Sequence, residues 1–406
     1  MTRTTVLLCL AFLFALAAVL EAADWPHWQG IDRNGRSPET GLLKAWPEGG
    51  PKLLWVVEGL GRGYSAVAVA NGGVYLTGMT DDNSGVLYAV NLDGTEKWQT
   101  AYGPEWDGQY PGARSTPTVN DGRIYIVSGK GTLICFDAAN GNEQWQINAD
   151  EKFNGKPPKF GFTESVLIDG QHVIFTPGGF ESTVVALDKI TGRIRWETKS
   201  LSEQSGYCCP VVINHGGNRL ILTMSQGSVL GIDAETGANP WRFAHQAAEG
   251  IHPISPLYHA GHVYAVAGYE SGGMMIKLSA DGLEAEQVWT DKKLDCHTGG
   301  VQLIDGHIYG TNHAGKWICL NWKSGEVVHE LDGVGKSAII FADGLIYAYT
   351  TSGRACLIKP SPQELKVISS FEIPHGSGEH IARPVIAHSR LYIRHGDALM
   401  AYDIKQ

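Results

Sequence analysis

The sequence predicts an all-β fold, an eight-bladed β-propeller of four-stranded antiparallel blades, on three observations. Charged residues make up only 18% of the 406 residues, whereas 51 are Gly, which suits many short strands joined by tight turns. An apolar pair follows a Gly turn eight times, at a mean spacing of about 45 residues, the length of one blade. A turn of the form Asp–x–x–x–Gly, followed by a Trp, recurs along the chain with the same period. The pairs begin at Val74, Ile124, Val173, Leu220, Val263, Ile308, Ile346 and Leu391.

Residues 113–146 show the elements of one blade. An innermost strand is followed by a hairpin turn at Asp121–Gly122, where Gly supplies the positive φ that such a turn needs. Two further strands lead to the turn from Asp137 to Gly141 and to an outer strand that carries Trp145. We expect this large apolar side chain to pack between adjacent blades. The predicted strands are Ser115–Asn120, Arg123–Ser128, Thr132–Asp137 and Glu143–Gln146.

The last blade lacks one strand in the C-terminal part of the chain. Residues 380–404 supply three strands, and no strand with a Trp follows them. Lys52–Glu58 carries a Trp and precedes the first full repeat, so we expect it to pair beside Leu399–Asp403 and complete the last blade. This closure removes the exposed sheet edges. Residues 51–406 then form the propeller, and we expect residues 24–50 to lie across its outside as a strap.

Residues 1–23 have the layout of a secretory signal peptide. Arg3 precedes an unbroken apolar run, Val6–Leu20, and the small residues that follow place cleavage before Asp24. The apolar run is short for a membrane span, so we expect an exported chain, periplasmic or extracellular, with no transmembrane span after cleavage. The net charge of −10 argues against a nucleic-acid partner, because phosphate binding needs a basic surface.

One face of the predicted ring carries the connections that enter the innermost strands, and we call it the loop face. The long connections all fall on it, so we expect function there, around the central channel. These connections are 99–113, 147–162, 198–206, 242–251 and 370–379. Alignment of the repeats on their hairpin turns places ligand-binding candidates at the channel mouth. They are Tyr64, Arg114, Glu164, Tyr207, His252, His297, Lys336 and His380.

Three of these candidates, His252, His297 and His380, occupy the same position in three different repeats. If the alignment holds, their side chains point into the channel together. Neutral imidazoles are common ligands of zinc, copper or iron, and they also serve as acid–base groups. A third interpretation is a polar lining of a hydrated channel, in contact with a ligand.

The recurring turn resembles that of a known family. Asp137…Gly141…Trp145 and Asp188…Gly192…Trp196 are similar to the repeat of the quinoprotein alcohol-dehydrogenase-like, or PQQ-repeat, propellers, and the resemblance covers residues 52–404. The family includes PQQ-dependent dehydrogenases and cofactor-free scaffolds such as the outer-membrane assembly propeller lipoproteins. The opening Trp25–Gly30 resembles a group of exported members. The repeat residues are packing residues, so they indicate the fold more directly than an activity.

The resemblance also suggests cofactor contacts. Dehydrogenases of the family carry a disulfide between adjacent cysteines against PQQ, and Cys208 and Cys209 match that element. They also hold calcium through carboxylate and amide oxygens, of which Glu164 and Asn312 would supply two. A third calcium ligand and an inner-strand Trp beneath the quinone are not found in the sequence. Their local context favours the other interpretation, in which Cys208 and Cys209 are two small buried residues at the start of a strand.

Three functions are therefore compatible with the sequence. The first is an exported binding or scaffold module that receives a protein, a glycan or a small molecule on its loop face. The second is a PQQ-dependent alcohol or sugar dehydrogenase with calcium, and the third is a metal-assisted hydrolase or lyase that uses the three histidines. We expect a monomer.

Overall fold

Eight antiparallel sheets form the blades of a closed ring in the computed structural model, which describes residues 23–406. The predicted all-β, eight-bladed fold is confirmed. The signal peptide predicted for residues 1–23 lies, apart from Ala23, outside the described residues. Within residues 23–406, each helix is too short or too polar to cross a membrane.

The strands of each blade run in order from the channel outwards, with the exception of the last blade. Blades 1 to 4 consist of Ala68–Ala70, Gly73–Met79, Ser84–Asn91 and Glu96–Pro104; Thr118–Asn120, Arg123–Val127, Thr132–Asp137 and Glu143–Asn148; Leu167–Asp169, His172–Phe175, Ser182–Asp188 and Ile194–Lys199; and Val211–His215, Asn218–Met224, Ser228–Asp233 and Trp241–Ala244.

The second half of the ring repeats this pattern. Blades 5 to 8 consist of Leu257–His259, His262–Ala267, Gly272–Leu278 and Ala285–Asp291; Val301–Ile304, His307–Thr311, Trp317–Asn321 and Val327–Leu331; Ser337–Ala342, Leu345–Thr350, Arg354–Lys359 and Lys366–Glu372; and Val385–Ala387, Arg390–His395, Ala398–Asp403 and Lys52–Val57. Two short helical turns, Ala149–Phe153 and Ala248–Gly250, lie in loop-face connections.

The Asp–Gly turn and the Trp of the repeat have a common packing role. The Trp145 indole donates to the Lys189 carbonyl of the next blade at 3.2 Å, and the Trp196 indole donates to Ala234 in the same way at 3.0 Å. A Cβ atom at Gly192 would stand 2.8 Å from the Trp145 ring, so only Gly fits beneath the indole. Each outer Trp thus docks on the Asp–Gly turn of the following blade, which confirms the predicted inter-blade packing.

The ring is closed by the N-terminal strand, as predicted. Lys52–Val57 pairs antiparallel with Ala398–Asp403, from Lys52 opposite Asp403 to Val57 opposite Leu399. The Trp55 indole donates to the Leu92 carbonyl of blade 1 at 2.8 Å, so the last blade docks on the first through the same contact that joins blade 2 to blade 3 and blade 3 to blade 4.

The prediction that residues 24–50 lie across the outside is wrong for residues 24–37, which we call the channel segment. Trp25 pairs with Val69 of the innermost strand of blade 1, and the Val119 amide donates to the Pro26 carbonyl at 2.8 Å. Arg36–Ser37 then pairs in parallel with the innermost strand of blade 7. The physical reason is that innermost strands present unpaired backbone groups to the channel, and this segment satisfies some of them.

The channel segment enters and leaves on the face opposite the loop face, where the hairpin turns lie. The Asp24 carboxylate accepts from the backbone amide of Asn71 in one such turn, and Asp343 in another accepts from the Leu42 amide. Beyond the channel, Trp46 packs edge-on against Tyr347 and Phe371 of blade 7. The channel is therefore closed on the hairpin face and open on the loop face.

Candidate functional site

A cavity of about 490 Å³ lies at the channel mouth on the loop face. Trp28 of the channel segment contributes to its lining, together with residues from loops of several blades. The structure brings together five of the eight channel-mouth candidates here, and Cys209 with them. These five are Tyr64, Arg114, Tyr207, His297 and Lys336. Glu164, His252 and His380 do not contribute to the lining.

Aromatic rings make up much of the wall. The Phe160 ring lies 6.0 Å from Tyr110 and 6.3 Å from Tyr207, centroid to centroid, and the Phe160 amide donates to the Tyr207 hydroxyl at 3.2 Å. Tyr64 and Tyr269 line other parts of the cavity. Rings held in this way offer rigid flat surfaces on which a planar group or a sugar can stack.

Three cationic side chains also line the cavity. The Arg383 guanidinium donates to the carbonyls of Ile339 at 2.6 Å and Gly299 at 2.8 Å and lies 4.9 Å from the centroid of the Trp28 ring. The Arg114 guanidinium donates to the Tyr110 carbonyl and lies 5.1 Å from the Tyr64 ring. The third cation is Lys336.

Carboxylates lie near two of these cations without forming salt bridges to them, Glu105 near Arg114 and Asp295 near Lys336. Neither Arg114 nor Arg383 nor Lys336 forms a salt bridge within residues 23–406, and the Nε atoms of both arginines have no acceptor there. Burial lowers the pKa of Arg383 to about 10 and lowers the pKa of Arg114 and of Lys336. Glu379 is the carboxylate in the cavity lining, and it is exposed. The lining is thus positive in a chain whose net charge is −10.

The prediction that three histidines point into the channel together is wrong. His252 is buried and lies 3.1 Å from His245, ring nitrogen to ring nitrogen. His297 pairs with His313 at 3.0 Å. His380 stacks on His395 with 3.7 Å between ring centroids. Each of the three imidazole rings contacts a different second histidine, so the three form separate pairs and not one cluster.

Because the three histidines lie in separate pairs, they do not form the common metal centre that a metal-assisted hydrolase or lyase would need. Between residues 23 and 406, groups of three or more His, Cys, Asp or Glu side chains in a metal-binding arrangement are absent. Only His297 of the three lines the cavity, and burial lowers its pKa to about 4, so its imidazole is neutral at pH 7.

The oxygens suggested for calcium do not come together either. Glu164 is buried below the cavity, where its carboxyl oxygens accept from the Thr176 amide at 3.2 and 3.1 Å. The Asn312 side chain accepts from the Lys316 amide at 2.9 Å within its own turn. The cavity lining offers a single carboxylate, that of Glu379, beside three cations and several aromatic rings, and calcium needs six to eight oxygen ligands. The residues present therefore do not fit a calcium-held PQQ.

Cys208 and Cys209 are buried free thiols in this structure. Cys209 lines the cavity, and its sulfur accepts from the Ser165 amide at 3.2 Å. Burial raises the pKa of Cys209 to about 11, and the pKa of Cys208 is raised as well. Both side chains are therefore protonated at pH 7, as expected for small buried residues.

Sequence reasoning missed Trp28, Arg33 and Arg383. Trp28 lay in a segment that we expected on the outside. Arg33 is buried, and its guanidinium donates to the carbonyls of Ser165 at 2.6 Å and Val166 at 2.9 Å in blade 3. Arg383 stands in the apolar stretch Ile381–Ala387, and an isolated Arg in such a stretch was the signal that could have identified it, because Arg is rarely buried without a role.

Comparisons with known proteins agree with this fold. A PQQ-repeat family model, described as outer membrane protein assembly factor BamB, matches residues 82–331. BamB of Yersinia pestis is 23% identical over 318 residues, which cover 75% of this chain and 76% of that protein.

Quinoprotein ethanol dehydrogenase of Pseudomonas aeruginosa is 29% identical over 171 residues, which cover 38% of this chain and 27% of that enzyme. The matched part is thus about a quarter of the enzyme's length. The crystal structure of quinohemoprotein alcohol dehydrogenase from Comamonas testosteroni covers 94% of this chain and 80% of its own, with a TM-score of 0.68 and 12% identity. This similarity shows the fold.

The repeat motif, the eight blades and the family match over more than half of the chain point to the same conclusion. The chain belongs to the PQQ-repeat β-propeller family, whose matching model is described as outer membrane protein assembly factor BamB.

Proposed function

We propose that this chain is an exported binding module that holds a small molecule in the channel-mouth cavity. The observation that carries the proposal is the cavity of about 490 Å³, with Trp28 in its lining and the channel closed beneath it by the channel segment. Pockets of this volume accommodate molecules of roughly one to three rings. A closed end is useful for retention, because a ligand can leave only through the loop face.

The lining favours binding over the two enzymatic alternatives. The three histidines lie in separate pairs, and the oxygens suggested for calcium lie outside the cavity. Aromatic rings with a few fixed polar groups are the usual composition of a ligand pocket. Export rests on the signal-like residues 1–23, and N-terminal sequencing of the mature protein should find Asp24 first. A mature protein that retains residues 1–23 would contradict export.

A cavity-blocking variant tests the binding role. Thr351 lines the cavity from an exposed turn of blade 7, so Thr351→Trp should fill the cavity without disturbing the core. We expect equilibrium dialysis against a mixed library of neutral, cationic and anionic ring compounds to show at least one that the wild-type protein retains and Thr351→Trp loses by tenfold or more.

Lys323→Trp supplies the matched control, because Lys323 is exposed on a turn of the opposite face. This variant should retain the same compounds as the wild-type protein. A library in which no compound distinguishes Thr351→Trp from Lys323→Trp would contradict the binding role.

A further inference from the structure

We infer that two copies of this chain associate through the outer strands of blades 6 and 7, where exposed apolar side chains lie beside charges of opposite sign. This surface is on the outside of the ring and shares no residue with the lining of the channel-mouth cavity. The association therefore does not depend on the proposed binding function.

The outer strands carry a bulge at one repeated position. The residue directly before the docking position, which Trp145 holds in blade 2, has no partner in the neighbouring strand, and we call it the bulge residue. Blade 4 pairs regularly, and the other seven blades each have a bulge residue. Six of the seven are exposed and one is half-buried, so this position faces outwards around the ring. They are Lys97, Gln144, Arg195, Val288, Val328, Ile368 and Leu54, in blades 1, 2, 3, 5, 6, 7 and 8.

The chemistry of the bulge residue changes around the ring. Blades 1 to 3 present a Lys, a Gln and an Arg, whereas blades 5 to 7 present Val288, Val328 and Ile368, which are 47%, 40% and 36% exposed. Val367, beside Ile368, is also 39% exposed. Outer strands have free backbone edges, which proteins usually protect with charged side chains. Blades 5 to 7 lack that protection at the bulge, which indicates a surface that a partner covers.

Charged residues two positions before the bulge residue select the blades that take part. This position holds Glu286 in blade 5, Glu326 in blade 6, Lys366 in blade 7 and Lys52 in blade 8, and all four are exposed. A two-fold axis parallel to the channel places each of two neighbouring blades opposite the other blade of the second copy. An axis between blades 5 and 6 would oppose Glu to Glu, and an axis between blades 7 and 8 would oppose Lys to Lys. The axis between blades 6 and 7 brings opposite charges together.

Around that axis the surface is complementary to itself. Val328 of each copy meets Ile368 of the other, and Glu326 of each copy lies opposite Lys366, so both contacts occur twice. Neither Glu326 nor Lys366 forms a salt bridge in the part of the chain that the structure describes, whereas Glu286 of blade 5 already pairs with Lys277 at 3.3 Å. Apolar and charged groups are thus both satisfied by a second copy of this chain.

The size of the surface predicts a weak dimer. The two outer strands have 5 and 7 residues. Together they are about half of the roughly 20 to 30 residues that each partner contributes to a standard interface. We therefore expect a dissociation constant of roughly 10 to 100 µM. Because exposed charges contribute to it, this constant should rise severalfold at about 0.5 M salt.

Sedimentation velocity of the full mature protein, from about 1 to about 500 µM, measures the association. Glu326→Lys opposes Lys to Lys across the axis, Lys366→Glu opposes Glu to Glu, and each should raise the dissociation constant at least tenfold. The double variant Glu326→Lys/Lys366→Glu restores opposite charges and should return the constant to within threefold of the wild-type value.

Val328→Lys tests the apolar contact and should also weaken the dimer at least tenfold. Gln144→Lys is the matched control, because Gln144 is the exposed bulge residue of blade 2, and it should change the dissociation constant less than twofold. Near-ultraviolet circular dichroism should be the same for all these variants, since each substituted side chain is exposed.

Three outcomes would overturn the inference. The first is a wild-type protein that stays monomeric over the whole range, as the sequence led us to expect. The second is a dimer that persists in Val328→Lys or that the double variant fails to restore, because its interface would then lie elsewhere. The third is a monomer that co-sediments with vesicles of phosphatidylethanolamine and phosphatidylglycerol and loses this binding in Val328→Lys, which would assign the apolar side chains to a lipid surface.

Discussion

Removal of the channel segment, residues 24–37, is expected to lower the free energy of unfolding by at least about 5 kcal/mol and to abolish small-molecule retention. The segment buries Trp25, which is 2% exposed, and it forms backbone pairs with blades 1 and 7. It also carries Arg33, which donates to two carbonyls of blade 3. Its loss opens the channel from the hairpin face and removes Trp28 from the cavity.

Urea unfolding of the truncated protein and of the wild-type protein measures the first effect, and equilibrium dialysis measures the second.

Trp28→Ala covers the case in which the truncated protein does not fold. This variant removes one side chain from the cavity lining while the backbone pairs remain, and it should keep at least nine-tenths of the wild-type secondary structure while retention falls about tenfold. Ile31→Ser is the control within the same segment, because Ile31 is 61% exposed and its substitution should change stability by less than about 0.5 kcal/mol. A truncated protein as stable and as retentive as the wild-type protein would show that the channel segment is dispensable.

Glu164→Gln is expected to make the protein more stable than the wild type at pH 8.5 and to leave it nearly as stable at pH 4.5. Burial raises the pKa of Glu164 from 4.5 to about 8, and the hydrogen bonds from Thr176 and the nearby Arg33 offset only part of this effect. The folded state therefore holds a proton that the unfolded state releases above about pH 4.5. Stability from this group is complete below pH 4.5 and is lost as the pH rises through 8.

The size of the effect follows from the pKa change. At about 1.4 kcal/mol for each pKa unit, the difference between Glu164→Gln and the wild type should grow by about 3 to 5 kcal/mol between pH 4.5 and pH 8.5. Urea unfolding at both pH values measures it. Glu151→Gln, on the exposed side of the helix Ala149–Phe153, serves as the control and should show no such growth. Parallel stability profiles for Glu164→Gln and the wild type would contradict a buried, protonated Glu164.

The fold could be predicted because its determinants are local and repeated. The Gly of each hairpin turn, the Asp–Gly turn and the outer Trp lie within about 25 residues of one another, and each blade repeats them. In the structure, Asp121 and Gly122 have the positive φ values, 46° and 72°, that the predicted hairpin turn requires. The closing strand could be predicted because the last blade has only three strands in the C-terminal part of the chain. Its third strand, Ala398–Asp403, therefore needs a partner from elsewhere.

The position of the channel segment inside the channel could not be predicted from its sequence. Its residues follow no repeat pattern, and they pair with the free edges of strands far along the chain. Arg33 bonds carbonyls more than 130 residues away, and Arg36–Ser37 pairs with a strand that begins at Ser337. The directions of the histidine side chains could not be predicted from the sequence either. The alignment gave equivalent backbone positions for His252, His297 and His380, but the partner histidine differs in position and contact for each.

The most direct test of the cavity as a ligand site is anomalous diffraction from crystals soaked in the bromo derivative of a compound that the wild-type protein retains in the dialysis experiment. The account predicts one bromine peak inside the cavity, among the aromatic walls. The same soak of Thr351→Trp crystals should show no peak there. Bromine peaks confined to the outer surface of the wild-type protein, with the cavity free of the probe, would contradict the account.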